Sequence, residues 1–142
     1  MRRTTFRPHG LTVGAALMLA LLSPLAASAQ SQLDASQAQA FIGNWTIAMD
    51  TDFGPFSMDL EITEQGGKVA ASIGSPEMGG PMQSVTDITR EGEALVLSWE
   101  IDAQGQYMDV MMSLEPDGED LATMFETAGG EFAATGVATK AD

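Results

Sequence analysis

The chain has 142 residues, of which 20 are acidic and six are basic, and its formal net charge is −14. Residues 30–142 hold all 20 acidic residues and only three basic ones, a formal charge of −17. Such a surface repels polyanions, which argues against nucleic acid and membrane surfaces as partners. There is no cysteine, which excludes disulfide bonds.

Residues 1–29 have the pattern of a secretory signal peptide. A basic region with three arginines precedes the apolar run 11–22, and small residues at 27–29 supply a cleavage point. The apolar run is shorter than the roughly 20 residues that span a bilayer. We therefore predict a periplasmic or secreted protein whose folded part begins at residue 30.

The rest of the chain predicts one all-β domain. Residues 30–40 are polar or small and predict a linker with a single helical turn, which Asp34 is suited to cap. Residues 41–142 form the predicted domain, in which short alternating runs are separated by Gly, Pro and Asp about once every 12 residues. We predict eight strands, at 42–50, 56–65, 68–74, 82–89, 94–102, 107–115, 121–127 and 132–140.

A repeat of 26 residues relates the turns Gly66, Gly92 and Gly118, and apolar residues recur at matching places behind each glycine. The repeat divides the domain into four two-strand units and assigns the inward face of each strand. On the fourth strand, the apolar Val85 by itself would predict the opposite inward face, and the repeat overrides it. It predicts that these residues of that strand point inward: Met82, Ser84, Thr86 and Ile88.

Eight short antiparallel strands leave two unprotected sheet edges unless the sheet closes on itself. The even hairpin spacing, without a long crossover, argues against a Greek key. We therefore predict an eight-stranded antiparallel up-and-down meander barrel in which the last strand pairs with the first. A two-sheet sandwich is the alternative.

The segment FIGNW at 41–45 opens the predicted first strand. It resembles the F-x-G-x-W motif that opens the first strand in the calycin superfamily, the lipocalins and fatty-acid-binding proteins. The segment TGVATK at 135–140 is similar to the closing segment of small exported bacterial barrels. The resemblance implies that Lys140 packs over Trp45, next to Gly43, and closes the barrel. It also implies that the interior carries a small ligand.

The repeat sorts the inward residues into layers. Bulky aliphatic residues surround Trp45 at one end, which predicts a sealed end with the indole as packing. Aromatic residues and methionines occupy the other end, below loops that contain Phe53, Met78 and Gly105. A barrel of this size is either filled by side chains or holds one small ligand. For a small apolar ligand with one polar group, the predicted contacts are Phe56, Met58, Met82, Ser84, Thr86, Trp99, Met108, Thr123 and Phe125.

Residues 30–142 contain neither histidine nor cysteine, the usual general base and nucleophile near neutral pH. We therefore expect no enzymatic activity, no catalytic residues and no cofactor. The acidic turns at 50–52 and 115–120 lack the full spacing of a calcium loop, and we expect no metal site. Met111 and Met124 are expected side by side on the outer surface, where they form a candidate contact for a protein partner.

Two functions remain open at this point. The first is an exported, soluble, lipocalin-like barrel that binds a small apolar molecule in its interior. The second is a structural or interaction barrel with a filled core, acting as an accessory to another exported protein. We expect a monomer in either case. A connected apolar void of ~300 Å³ or more favours the first function, and a core at ordinary packing density favours the second.

Overall fold

The computed structural model describes residues 30–77 and 79–142, so the predicted signal peptide and Met78 lie outside the described residues. Two short 3₁₀ turns, Ala35–Gln37 and Gln39–Phe41, stand where a helical turn is predicted. Within these ranges, no helix is long and apolar enough to cross a membrane. The strands are β1 Gly43–Thr51, β2 Gly54–Gln65, β3 Lys68–Gly74, β4 Gln83–Val85, β5 Asp87–Glu91, β6 Ala94–Ala103, β7 Gln106–Asp117, β8 Asp120–Thr127 and β9 Ala133–Lys140.

The strands form one antiparallel sheet in the order β4-β3-β2-β1-β9-β8-β7-β6-β5. The predicted pairing of the first strand with the last is confirmed, because β1 lies between β2 and β9. The two ends of this order, β4 and β5, are consecutive in the chain and are separated only by Thr86. The sheet is therefore a nearly closed barrel, and the sandwich alternative is not adopted.

The predicted number of strands is wrong, because the expected fourth strand is broken at Thr86. Its first part pairs with β3 and its second part with β6. Val85 and Ile88 are 0% and 4% exposed, yet residues three apart lie on opposite faces of a regular strand. The break resets the alternation and allows both to face the core. The predicted inward placement of Ile88 is confirmed, and that of Met82, Ser84 and Thr86 is wrong.

The seam between β3 and β5 is partly filled by residues 30–41, here called the N-terminal arm. Beyond β4, the backbone of β3 needs other hydrogen-bond partners. Ser31 supplies two, since its N–H and its hydroxyl both donate to the carbonyl of Val69, at 2.8 and 2.7 Å. The N–H of Val69 donates to the carbonyl of Leu33 at 2.9 Å. The arm therefore continues the sheet where β4 ends.

The core follows the predicted layers at the end that carries the N-terminal arm. The bulky aliphatic residues that the repeat assigns to this end are at most 4% exposed: Ile62, Val69, Ile88, Leu95, Leu114 and Leu121. In the middle of the barrel, β9 passes very close to β1 at Gly136. A Cβ atom at that position would lie 2.2 Å from the carbonyl oxygen of Ala48 and 2.6 Å from Cγ of Met49. Glycine is therefore required there for Met49 to lie across β9.

Candidate functional site

One end of the barrel, called the closed end, is sealed by two aromatic side chains that are fixed by their partners. Trp45 is 3% exposed, and its indole N–H donates to the backbone carbonyl of Phe41 at 2.8 Å. Phe41 ends the second 3₁₀ turn and is fully buried. The guanidinium carbon of Arg90 lies 5.1 Å from the centre of the Phe41 ring. Arg90 also donates from Nη1 to the carbonyl of Gln37 at 2.9 Å, which ties β5 to the N-terminal arm.

The predicted contact between Lys140 and Trp45 is present. Nζ of Lys140 lies 5.3 Å from the centre of the indole, and the two residues are register partners on β9 and β1. At Gly43, with φ at +145°, a Cβ atom would lie 3.0 Å from Cε of Lys140. Glycine at this position therefore leaves room for the lysine stem to cross the end of the barrel. Such a contact keeps the ammonium near water while its stem covers the ring.

The opposite end, called the open end, contains a cavity of about 820 Å³ that opens to solvent. All four loops of this end contribute to it, and its walls come from the inward faces of the adjoining strands. Its volume falls in the range of small-molecule sites and exceeds the ~300 Å³ that distinguishes a ligand-binding barrel from a filled one. The described lining residues are Met49, Thr51, Phe53, Gly54, Pro55, Phe56, Met58, Ile73, Gly74, Ser75, Gly80, Pro81, Gln83, Trp99, Ile101, Asp102, Ala103, Gln104, Phe125 and Phe132.

Three aromatic rings form a continuous row along one wall of the cavity. The rings of Trp99 and Phe125 are 6.0 Å apart and tilted by 58°, and those of Phe125 and Phe132 are 6.0 Å apart at 72°. These distances and angles are those of favourable aromatic pairs. Phe132 is held in place by Thr127, whose hydroxyl accepts a hydrogen bond from the Phe132 N–H at 3.1 Å. The row is therefore preformed on strands and on a hydrogen-bonded loop.

Four of the nine predicted contact residues line this cavity: Phe56, Met58, Trp99 and Phe125. Met82, Ser84 and Thr86 are exposed, whereas Val85 takes the inward face of this segment. Ser84 instead lines a groove of about 220 Å³ on the outer face of β2 and β3. Met108 is half-buried and Thr123 is buried, but neither is among the lining residues.

The predicted contact set omits several residues of the cavity wall. Three of them each stand two positions from an inward residue of the same strand or its extension. Met49 follows Ile47, Ile101 follows Trp99, and Phe132 precedes Ala134. Because side chains alternate along a strand, extending each inward face by two positions identifies all three. Ile73 follows the same alternation, since it stands two positions from the buried Ala71 on β3. The sequence therefore contains the alternation that identifies these wall residues.

Thr123 lies inside the barrel, next to the layer that lines the cavity. It is 4% exposed and pairs with Gly136, which in turn pairs with Met49 of the cavity wall. Its hydroxyl oxygen is the one buried side-chain polar atom of the described chain that lacks a hydrogen-bond partner. An unsatisfied buried hydroxyl carries a desolvation cost. Thr123 therefore places a hydroxyl inside the barrel that no other protein group of the described residues bonds.

Charges are divided unevenly between the two ends. The three basic side chains of residues 30–142 lie at the closed end: Lys68 pairs with Asp34 at 2.5 Å, and Arg90 and Lys140 lie over aromatic rings. Among the described residues that line the cavity, none is basic and only Asp102 is acidic. No group of three or more His, Cys, Asp or Glu side chains that could hold a metal ion occurs among the described residues.

The outer face of β7, β8 and β9 carries the predicted methionine pair. Met111 and Met124 are 43% and 45% exposed, and Val137 is 44% exposed. Met111 is opposite Glu126 and Met124 is opposite Ser113, so the two methionines are diagonal neighbours on one face. They form a small apolar patch, and its use by a protein partner stays a prediction.

Comparison with known proteins gives no family assignment. No family model matches the chain, and no curated protein matches it. Among solved structures, the crystal structure of a secretary abundant heat soluble (SAHS) protein from Ramazzottius varieornatus is similar at a TM-score of 0.44 and 11% sequence identity. The similarity covers 72% of this chain and 96% of that one. A likeness at this level carries no argument about function, so the barrel fold rests on the strand pairing described above.

Proposed function

We propose that this protein binds a small apolar molecule in the cavity at the open end of its barrel. The observation that carries the proposal is a cavity of about 820 Å³ whose walls are mainly aromatic and aliphatic. Apolar concavities of this size are the usual form of small-molecule sites. The side chains at the closed end pack against one another, so that end stabilises the barrel and the open end is the one available to a ligand.

Two further features support a calycin-like interpretation of this barrel. A short 3₁₀ turn precedes the first strand, and Trp45 on that strand is covered by Lys140 on the last strand. The leader-like pattern of residues 1–29 supports a site of action in the periplasm or outside the cell. The absence of histidine and cysteine from residues 30–142 favours binding over catalysis.

Tryptophan fluorescence tests the proposal, because each end of the barrel has one tryptophan. Titration with the uncharged apolar probe 10-bromodecanol should quench Trp99, because bromine quenches an indole only at contact distance. Trp99→Phe should remove most of the tryptophan response, since Trp99 lines the cavity. Trp45→Phe should retain it, since Trp45 lies at the closed end.

A matched pair of polar substitutions tests the location of the site. Ile101 is half-buried in the cavity wall, whereas Val137 is 44% exposed on the outer face. Ile101→Gln should weaken probe binding by about tenfold, the equivalent of roughly 1.4 kcal/mol of lost apolar contact. Val137→Gln should leave the affinity unchanged. Equal effects of the two changes, or no response to the probe in the wild type, would contradict the proposal.

Native mass spectrometry of the protein purified from its own host is the complementary experiment. A ligand that co-purifies adds its mass to the folded protein, and mild activation should release it. We expect the fraction of protein that carries the added mass to be lower when Ile101→Gln is purified in parallel. An unchanged fraction in that variant would indicate that the molecule is bound elsewhere on the protein.

A further inference from the structure

The electrostatic character of the open end restricts which apolar molecules suit the cavity. The loops and strand ends that surround it carry acidic side chains at Asp50, Asp52, Glu77, Asp102 and Glu131. The three basic residues of the described chain are all at the closed end and are engaged there with Asp34, Phe41 and Trp45. The side chains around the opening of the cavity are therefore negative, whereas the basic side chains of the described residues are engaged at the other end of the barrel.

The cavity wall itself can also accommodate positive charge. The row of Trp99, Phe125 and Phe132 presents aromatic rings toward the same space. Aromatic faces attract ammonium groups, most strongly where water is partly excluded. An anionic group receives no such contact from these rings. The wall and the rim of the cavity therefore favour the same sign of charge.

Asp102 is the acidic group that lines the cavity, and its position is fixed by the β6–β7 turn. Its Oδ1 accepts a hydrogen bond from the N–H of Gly105 at 2.7 Å. Gln104, next to Gly105 in that turn, has φ at 57°, the one positive value outside glycine in the described residues. The carboxylate is thus held at the rim of the cavity by a turn of defined geometry.

We propose that the cavity selects cationic amphiphiles, that is, molecules with an apolar body and an ammonium or amine head, and that it discriminates against carboxylate amphiphiles such as fatty acids. This inference rests on the proposed binding function and adds the charge class of the ligand. The apolar body lies within the cavity, and the head lies toward the rim, where the acidic side chains of the surrounding loops and the aromatic row both favour a positive charge. A carboxylate head at the same place would meet like charge and no basic partner.

Three amphiphiles that share a decyl chain test this selection: decyltrimethylammonium, decanol and decanoate, each used below its micelle concentration. Titration calorimetry with the full folded domain should give an affinity for the ammonium at least about tenfold higher than for decanol, with decanoate the weakest. Raising the ionic strength from about 0.01 M to about 1 M shortens the Debye length from about 30 Å to about 3 Å. The preference for the ammonium should narrow over that range.

A matched pair of neutralising changes separates the rim from the overall negative charge. Asp102→Asn keeps an oxygen that can accept the Gly105 hydrogen bond but removes the charge. It should lower the ratio of ammonium to decanol affinity by about fivefold or more. Asp117→Asn removes the same charge in the β7–β8 turn at the closed end. This control should leave the ratio unchanged.

The outcomes distinguish this inference from the binding function on which it rests. Binding of decanol or decanoate as tight as that of the ammonium overturns the charge selection and leaves apolar binding standing. An equal effect of Asp102→Asn and Asp117→Asn overturns the role of the rim. If none of the three amphiphiles binds, the proposed function itself is overturned, and the inference falls with it.

Discussion

The two ends of the barrel contain the same kind of residue in different surroundings. Trp45 at the closed end and Trp99 at the open end are 3% and 9% exposed. The first donates a hydrogen bond to the backbone and lies beneath a lysine, whereas the second stands in a row of rings that borders a cavity. Burial alone therefore does not separate a residue that stabilises the fold from one that is available to a ligand. The contacts that surround each ring distinguish the two roles.

The strongest test of this comparison is the removal of an aromatic ring at each end. Phe41→Ala should lower the free energy of unfolding by about 3–5 kcal/mol, because the ring is fully buried and its loss leaves a cavity. The control is Phe53→Ala, which removes a ring that is 92% exposed at the open end and should change stability by less than about 0.5 kcal/mol. Urea denaturation measures both. Equal losses would show that the closed end is not where stability is concentrated.

The two tryptophans give a more closely matched pair. Trp45→Phe should cost about 2 kcal/mol, because the buried carbonyl of Phe41 loses its donor and Lys140 loses part of its partner ring. Trp99→Phe should cost less than about 1 kcal/mol, since the space that it vacates joins a cavity that already exists. Thermal unfolding of the two variants provides the comparison. A larger loss for Trp99→Phe would reverse the assignment of the two ends.

A smaller effect is expected at the lysine that covers the closed end. Lys140→Ala should lower stability by about 1 kcal/mol through loss of the stem and of the cation over Trp45. Lys140→Met keeps most of the stem and removes the charge, so its loss should be about half as large. Denaturation of the three proteins side by side separates packing from charge. Wild-type stability in the alanine variant would mean that the contact contributes nothing.

The smallest effect, and one of opposite sign, is expected between the two ends. Thr123→Val removes a buried hydroxyl that has no partner and keeps the shape of the side chain, so stability should rise by about 0.5 kcal/mol. Thr127→Val is the control, because its hydroxyl bonds the backbone of Phe132 and its removal should be destabilising. The test is the sign of the two changes in chemical denaturation. A loss of stability in both variants would indicate that the Thr123 hydroxyl has a partner in solution.

The sequence predicts most of the barrel and the character of its two ends. The 26-residue repeat locates the turns and the aliphatic layer, and the resemblance of FIGNW to calycins implies the contact of Lys140 with Trp45. These features follow from alternation along strands and from one long-range pairing. Four residues of the cavity wall were predicted in the same way, because they continue inward faces that were already assigned.

What the sequence does not reveal depends on local competition and on distant contacts. At 85–88, two apolar residues three apart compete with regular alternation, and the core resolves the conflict by breaking the strand at Thr86. The contact of Arg90 with Phe41 joins segments that are remote in the chain and carry no shared motif. The repeat relates hairpins to one another and does not include the N-terminal arm. It therefore predicts neither the break at Thr86 nor the contact of Arg90 with Phe41.

The pairing of β1 with β9 has a consequence for how the chain folds. Thr46 and Thr139 are register partners although 93 positions separate them. Contacts this distant in the chain slow folding, because a long loop must be ordered before they form. Until β9 is in place, β1 and β8 each present an unpaired edge that another chain can extend. A chain that ends before β9 is therefore expected to fail chiefly by self-association, and the last eight residues of the barrel act as its protection against aggregation.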